Sequence, residues 1–316
     1  MVQNLRVSPE ASTPDVSDRV LLSGVSWATG QPRLHLRLNG EPSTHIPVAG
    51  VSLRYSAVDS RRRCVGHKPF RDHTGSWVDC DNTSLHDGYK CDRCAANDAT
   101  FASQLHHAHT RGTGELDASI QTHLAQPNHL YLAAFRDGSI KVGTSTSSRL
   151  DTRLSEQGAW RATIVATTTN GIAVREVEAQ ITSELGIAQS VSARRKLSGL
   201  VNPVSDDRLS TELDRWSTAV HRLIDTLSAD EISPKRDQWL SPVIADDVWH
   251  HVTAYPLKLR TGSHHVELIA ASGRLCALHR PGVDDVFVAD LRPLYGLELT
   301  MADVEPDELA VQDSLF

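Results

Sequence analysis

The sequence predicts an α+β fold, and three observations carry the prediction: alternating apolar residues towards both ends of the chain, a β-β-α-β-α succession of patterns over residues 129–186, and four cysteines within the 31 residues from Cys64 to Cys94. With 316 residues and 40% hydrophobic content the chain can bury a core, as one large domain or two to three small ones. Residues 1–17, rich in Ser, Pro, Asp and Glu, are expected to form a loose tail. Strands are expected over 18–60. In PRLHLRLNG, Leu34, Leu36 and Leu38 alternate with Arg33, His35 and Arg37 up to the turn pair Asn39-Gly40, and SLRYSAV repeats the pattern with Leu53, Tyr55 and Ala57. Over 240–302, HHVELIAASGRLCALH and VFVADLRPLYGLEL read as further strands with Gly turns. These N- and C-terminal strands are expected to pair as one small β module with the middle of the chain inserted into it, and 303–316 is a second tail.

Residues 61–110 read as a zinc module. Cys64, Cys80, Cys91 and Cys94, the last two in a CxxC turn, have the spacing of a tetrahedral structural zinc site. The intervening loops, with Gly66, Pro69, Gly75 and Gly88, look short of core, and a metal would staple them. Two other readings stay open: a redox CxxC, which wants a βαβ context that HDGYKCDRC does not offer, and unliganded buried thiols. His67 forms a Cys-x-x-His pair with Cys64 and is an alternative ligand to Cys80. His73, His86, His106, His107 and His109 surround the cluster and read as surface or nucleic-acid contacts, or as a second metal site. Cys276, alone in an apolar pattern, reads as a core residue.

Residues 127–202 carry the central unit. HLYLAAF and SIKVGTS are short apolar strands joined through Arg136-Asp137-Gly138, a hairpin signal. SSRLDTRLSEQG offers N-capping serines, Leu150 and Leu154 four apart, and a stop at Gly158. RATIVATTT is a strand, and AVREVEAQITSELG spaces Val174, Val177, Ile181 and Leu185 as a helix ending at Gly186. A connecting helix is expected over 203–232.

The net charge of −7 and pI of about 6.1 exclude a wholly basic nucleic-acid coat, so any nucleic-acid surface must be a patch. No apolar run is long enough to span a membrane, and the N-terminus lacks the apolar core of a secretory signal. A cytoplasmic protein is expected, in which five cysteines would not form a disulfide framework.

On these motifs residues 129–202 resemble the GIY-YIG nuclease domain. His129-Leu130-Tyr131 stands where that family has Gly-Ile-Tyr, and Lys141-Val142-Gly143 where it has Tyr-Ile-Gly. The resemblance implies that Arg153, or Arg149 one turn earlier, is the helix arginine and that Glu178 holds a catalytic Mg²⁺ or Mn²⁺. Lys141 replaces the second tyrosine, and the late asparagine has only Asn202 as a counterpart. The cysteine cluster together with GSIKVGTSTSSRLDTRLSEQGA is also similar to an uncharacterised bacterial domain-of-unknown-function family, over about residues 20–300.

Phosphodiester hydrolysis needs a base, a metal for the phosphate oxygens and a cation for the developing charge. Tyr131, Glu178 and Arg153 could fill those roles, with Lys141 a second base or a phosphate grip. Each also has a plain reading: Tyr131 as a core aromatic, Arg149 and Arg153 as a solvated helix face, Glu178 as an exposed side chain. Arg161, Arg194, Arg195 and Lys196 add positive charge nearby. The leading expectation is a zinc-containing, metal-dependent phosphodiesterase acting on DNA or RNA. The alternatives are a non-catalytic nucleic-acid-binding protein and an interaction scaffold.

Overall fold

The computed structural model describes residues 15, 18–57, 62–68, 77–83, 88–99, 116, 118–227 and 231–309. His73, His86, His106, His107 and His109, with Pro69 and Gly75, nearly all of 1–17 and residues 310–316, lie outside them. The fold is α+β and contains two sheets.

The larger sheet has nine strands. Those from the N-terminal part are β1 (Arg19–Ser26), β2 (Arg33–Leu38), β3 (Thr44–Pro47) and β4 (Val51–Ala57). A helix over 92–99 (α1) and α2 (Ala118–Leu124) follow, and then the second sheet. Its strands are β5 (Asn128–Ala134), β6 (Ile140–Thr146), β7 (Arg161–Thr168) and β8 (Ile232–Leu240), with α3 (Leu150–Gln157), α4 (Gly171–Leu185), α5 (Ala193–Val201) and α6 (Asp206–Ile224) between them. The chain then returns to the larger sheet through β9 (Val252–Ala254), β10 (Gly262–Ser272), β11 (Leu275–His279), β12 (Val286–Asp290) and β13 (Glu298–Met301).

The strand order of the larger sheet is β3-β2-β1-β13-β4-β10-β11-β12-β9. β13 lies between β1 and β4, and β10 pairs β4 from Gly262–Ala57 to Leu268–Val51, so the two ends of the chain are interleaved in one sheet. This sheet is not the small element that the sequence suggested; it is the larger of the two. Clean alternation also fails at His35, which is buried along with Leu34 and Leu36 because His45 stacks on it and Trp77 meets it edge-on.

The smaller sheet is antiparallel, in the order β6-β5-β7-β8. β5 is interior and apolar on both faces, which is why HLYLAAF shows no alternation. Leu130, Leu132 and Val165 join Val174, Val177 and Ile181 of α4 and Leu213 and Val220 of α6 in the main core. On the opposite face Tyr131, Ala133 and Phe135 pack with Leu154 of α3 and Ala162. The hairpin turn forms around Gly138 at φ +84°.

One local expectation changes. The serines before α3 form a 3₁₀ turn, Ser147–Arg149, and make no side-chain cap. The basic run ARRK opens α5, capped by Ser192. β8 lies between the expected connecting helix and the expected C-terminal strands, where no element was assigned. The caps Asn170 on α4 and Ser205 on α6 show the ordinary N-terminal logic, with a side-chain oxygen accepting from backbone N–H groups inside the first turn. Gly158, after α3, comes to 3.1 Å of the Ser272 carbonyl measured from where its Cβ would lie, so the α3 end and the β10–β11 turn meet backbone to backbone. Among the described residues no helix is long and apolar enough to cross a membrane.

Candidate functional site

The four predicted cysteines converge. Their sulfurs all lie within 4.8 Å of one another and are buried, and they form an apolar cluster separate from the main core. Cys80 Sγ and Cys91 Sγ are 3.8 Å apart. Two sulfurs each about 2.3 Å from a tetrahedral zinc would themselves be about 3.8 Å apart, so the set fits a closed metal site. The local chain is built for sulfur: the Gly66 and Cys91 amides donate to Cys64 Sγ at 3.4 and 3.2 Å, and Asn82 Nδ2 donates to Cys91 Sγ at 3.8 Å. Gly66 turns at φ +83°, and a Cβ there would sit 2.2 Å from the Val78 carbonyl oxygen. Only glycine fits that turn.

His67 Nδ1 lies 3.1 Å from Cys94 Sγ, beside the cluster, while Cys80 is within it. The Cys94 amide draws the Cys91 thiol down to about 6, and burial pushes the Cys64 and Cys94 thiols up. All five cysteines are free of disulfides, and Cys276 is fully buried in β11.

The second constellation gathers on the Tyr131 face of the smaller sheet. Tyr131 pairs with Gly143 and Ala133 with Lys141, which sets Tyr131 and Lys141 diagonally on one face. The phenol ring lies against Gly143, whose Cβ would be 2.6 Å from the Tyr131 hydroxyl. Gln157 Nε2 donates to that hydroxyl at 2.9 Å, and the Arg153 guanidinium acts on it electrostatically. Burial raises the Tyr131 pKa; Arg153 and Gln157 oppose the rise and Glu178 adds to it. Lys141 is 8% exposed and donates from Nζ to the Gln189 carbonyl at 3.2 Å. Burial brings its pKa down to about 8, helped by the charges of Arg153 and Lys196 and opposed by Glu178. Glu178 stands 3.9 Å from Arg175 one turn earlier on α4, its side chain 12% exposed.

Arg153 and Glu178, from two helices, therefore both act electrostatically on Tyr131 and on Lys141, from two strands. Arg153 is exposed, whereas Tyr131, which packs with Leu154 of α3, is at 0% exposure and Lys141 is buried. Arg149 turns away and grips Glu156 at 3.0 Å. Asn202 is exposed at the end of α5.

Sequence reasoning missed Arg175 and Gln157 and undervalued Lys196. Lys196 Nζ donates to the Gln157 carbonyl at 2.7 Å and lies 4.6 Å from the Phe135 ring centre. Burial and the nearby Arg274 and Arg153 lower its pKa to about 8. No local signal marks these residues, because what joins them is tertiary. Of the other basic residues, Arg161 pairs with Asp206 at 3.2 Å and Arg195 with Asp137 at 2.8 Å.

Residues 50–269 match a family described as protein of unknown function (DUF2797). The chain belongs to this family. The DUF2797 segment contains all four clustered cysteines and Tyr131, Lys141, Arg153 and Glu178. Its two ends meet in the fold, since the Gly50 amide donates to the Leu268 carbonyl at 2.9 Å and β4 pairs with β10 from there on. β13 and β1–β3 extend that sheet beyond β4, and β11 and β12 extend it beyond β10. No curated protein and no solved structure matches the chain.

Proposed function

We propose that this DUF2797 protein is a zinc-containing, metal-dependent phosphodiesterase of GIY-YIG type acting on nucleic acid, with Cys64, Cys80, Cys91 and Cys94 as structural zinc ligands. The observation that supports it most is that Tyr131 and Lys141 share one face of the β5–β6 hairpin and both feel the charges of Arg153 and Glu178. These are the positions to which the family resemblance assigns the chemistry. In this reading Glu178 holds a Mg²⁺ or Mn²⁺, which when bound would draw charge from the phosphate oxygens.

Lys141, with its pKa near 8, is the better base of the two strand residues, because a useful fraction is neutral close to neutral pH. It takes the proton of an attacking water as the oxygen adds to phosphorus, and the departing oxygen leaves with the bond electrons and is protonated by solvent. Arg153 bonds the phosphate as negative charge builds up. Tyr131, held neutral by burial, anchors Arg153 and does not remove a proton.

One observation favours a second reading, a nucleic-acid-binding module without catalysis: Tyr131 is fully covered, and Lys141 stands at the second tyrosine position with its amine on the Gln189 carbonyl. Incubation of labelled single- and double-stranded DNA and RNA with Mg²⁺ or Mn²⁺ separates the two. Cleavage by wild type and none by Glu178→Gln, with binding kept, supports the enzyme. Salt-sensitive binding with no cleavage supports the binding module, and equal cleavage by both proteins places the activity elsewhere.

A further inference from the structure

Two recesses lie side by side between the Tyr131 face and the cysteine cluster. The inner one, about 290 Å³, is lined by Gln157, Lys196 and Glu156 among others. The outer one, about 550 Å³, is lined by Arg62, Arg260 and Tyr89. Arg274 and Arg292 line both and form their common wall. Together the two recesses expose five cations and two carboxylates to one continuous surface, in a chain whose total charge is −7. Both carboxylates are engaged: Asp290 holds Arg274 at 3.0 Å and Glu156 holds Arg149 at 3.0 Å.

The inner end joins the candidate site through Gln157, whose side chain reaches the Tyr131 hydroxyl and whose carbonyl takes the Lys196 amine. At the outer end the Arg292 guanidinium lies 5.3 Å over the Tyr89 ring, a paired cation and aromatic plane of the kind on which bases stack. Tyr89 is fixed by the cysteine segment, because its carbonyl accepts from the Val65 amide next to Cys64.

We propose that these recesses form one track for a single-stranded nucleic acid, leading from Tyr89 beside the cysteine cluster over Arg292 and Arg274 to Lys196 and Arg153. The cysteine module then contributes to substrate binding as well as to the fold. The inference rests on the nucleic-acid reading above and adds the path and the strand state. A duplex is stiff over many tens of base pairs and would bridge two adjoining recesses, whereas a single strand can follow each floor and stack a base on Tyr89.

The test uses fluorescence anisotropy on the full chain as purified, with a labelled oligothymidylate and a duplex of equal length over a range of KCl. Arg260 and Arg292 are exposed, so Arg260→Ala/Arg292→Ala should melt as wild type does. This variant should bind the oligothymidylate about tenfold more weakly, and the slope of log affinity against log salt should fall by about 0.7 for each arginine removed. The control Arg208→Ala/Arg222→Ala, on exposed positions of α6, should change affinity less than about twofold. If the two double variants behave alike, the track is wrong and the nucleic-acid reading survives. Tighter binding of the duplex, lost in the same variant, overturns the single-strand assignment. If wild type binds neither probe, the nucleic-acid reading itself fails and the track fails with it.

Discussion

Around Cys64–Cys94 the buried cluster consists of four sulfurs, while around Tyr131 a charged group is sunk into an apolar sheet that is already packed on both faces. The first region has short segments, a glycine knuckle at Gly66 and amides aimed at sulfur; the second has interior strands, capped helices and an aromatic ring pressed on Gly143. The four sulfurs of the first are positioned to hold a metal ion, and the second is packed into apolar core on both faces of its sheet. In the second region burial also tunes the chemistry, since it is the leading cause of the lowered Lys141 and raised Tyr131 pKa.

If the proposed zinc is bound, that contrast breaks most sharply on removing it. A structural zinc in a small module contributes about 10–16 kcal/mol in apparent terms, so Cys91→Ser or strong chelation should unfold 62–99 while the smaller sheet stays folded. Limited proteolysis followed by mass spectrometry should find the new cuts within 62–99; cuts spread through 127–224 would contradict it. Cys276→Ala, in β11, should leave the protease pattern and metal content unchanged.

The same substitution in the two regions sharpens the contrast at smaller scale. Gly66→Ala drives a Cβ to 2.2 Å from a backbone oxygen at a positive φ and should cost about 3 kcal/mol by denaturant titration. Gly143→Ala meets the Tyr131 ring, which can yield slightly, and should cost about 1–2 kcal/mol. It should nonetheless reduce any cleavage, because it shifts the hydroxyl that Gln157 and Arg153 hold. An equal cost at both positions would remove the distinction.

The smallest effect is in pH. Lys141 has a folded pKa of about 8, below its value in the unfolded chain, so the unfolded state carries the extra proton between these values and stability rises with pH across that window. Lys141→Met removes the cost of burying the charge. Its stability advantage over wild type should be on the order of 1 kcal/mol below pH 8 and should shrink towards pH 10. An advantage that is flat over that range would mean that Lys141 is not depressed.

The β5–β6 hairpin, α4 and the cysteine set were legible in the sequence because their signals are local: a turn pair, a 3.6-residue stripe ending at Gly186, a metal-ligand spacing. β8 was not, since ISPKRDQWL carries Pro234 and charges and is exposed along nearly its whole length. Its place at the edge is set by backbone pairing with β7, from Leu240–Arg161 to Ile232–Thr168, and not by apolar alternation. β9 is three residues long and pairs parallel to β12, too short for a periodic signal. Arg175 was missed and Lys196 was read only as added positive charge for a different reason: one lies a turn before Glu178 and the other on a separate helix, so what they act on is set only in three dimensions.

The division between a metal-held module and a burial-held site is tested most directly by the metal itself. Protein purified without added zinc should contain about one zinc per chain, and X-ray absorption at the zinc edge should find four sulfurs at about 2.3 Å. Cys91→Ser should lose the metal and Glu178→Gln should keep it. A wild-type chain without zinc, or zinc with fewer than three sulfur neighbours, would contradict the account.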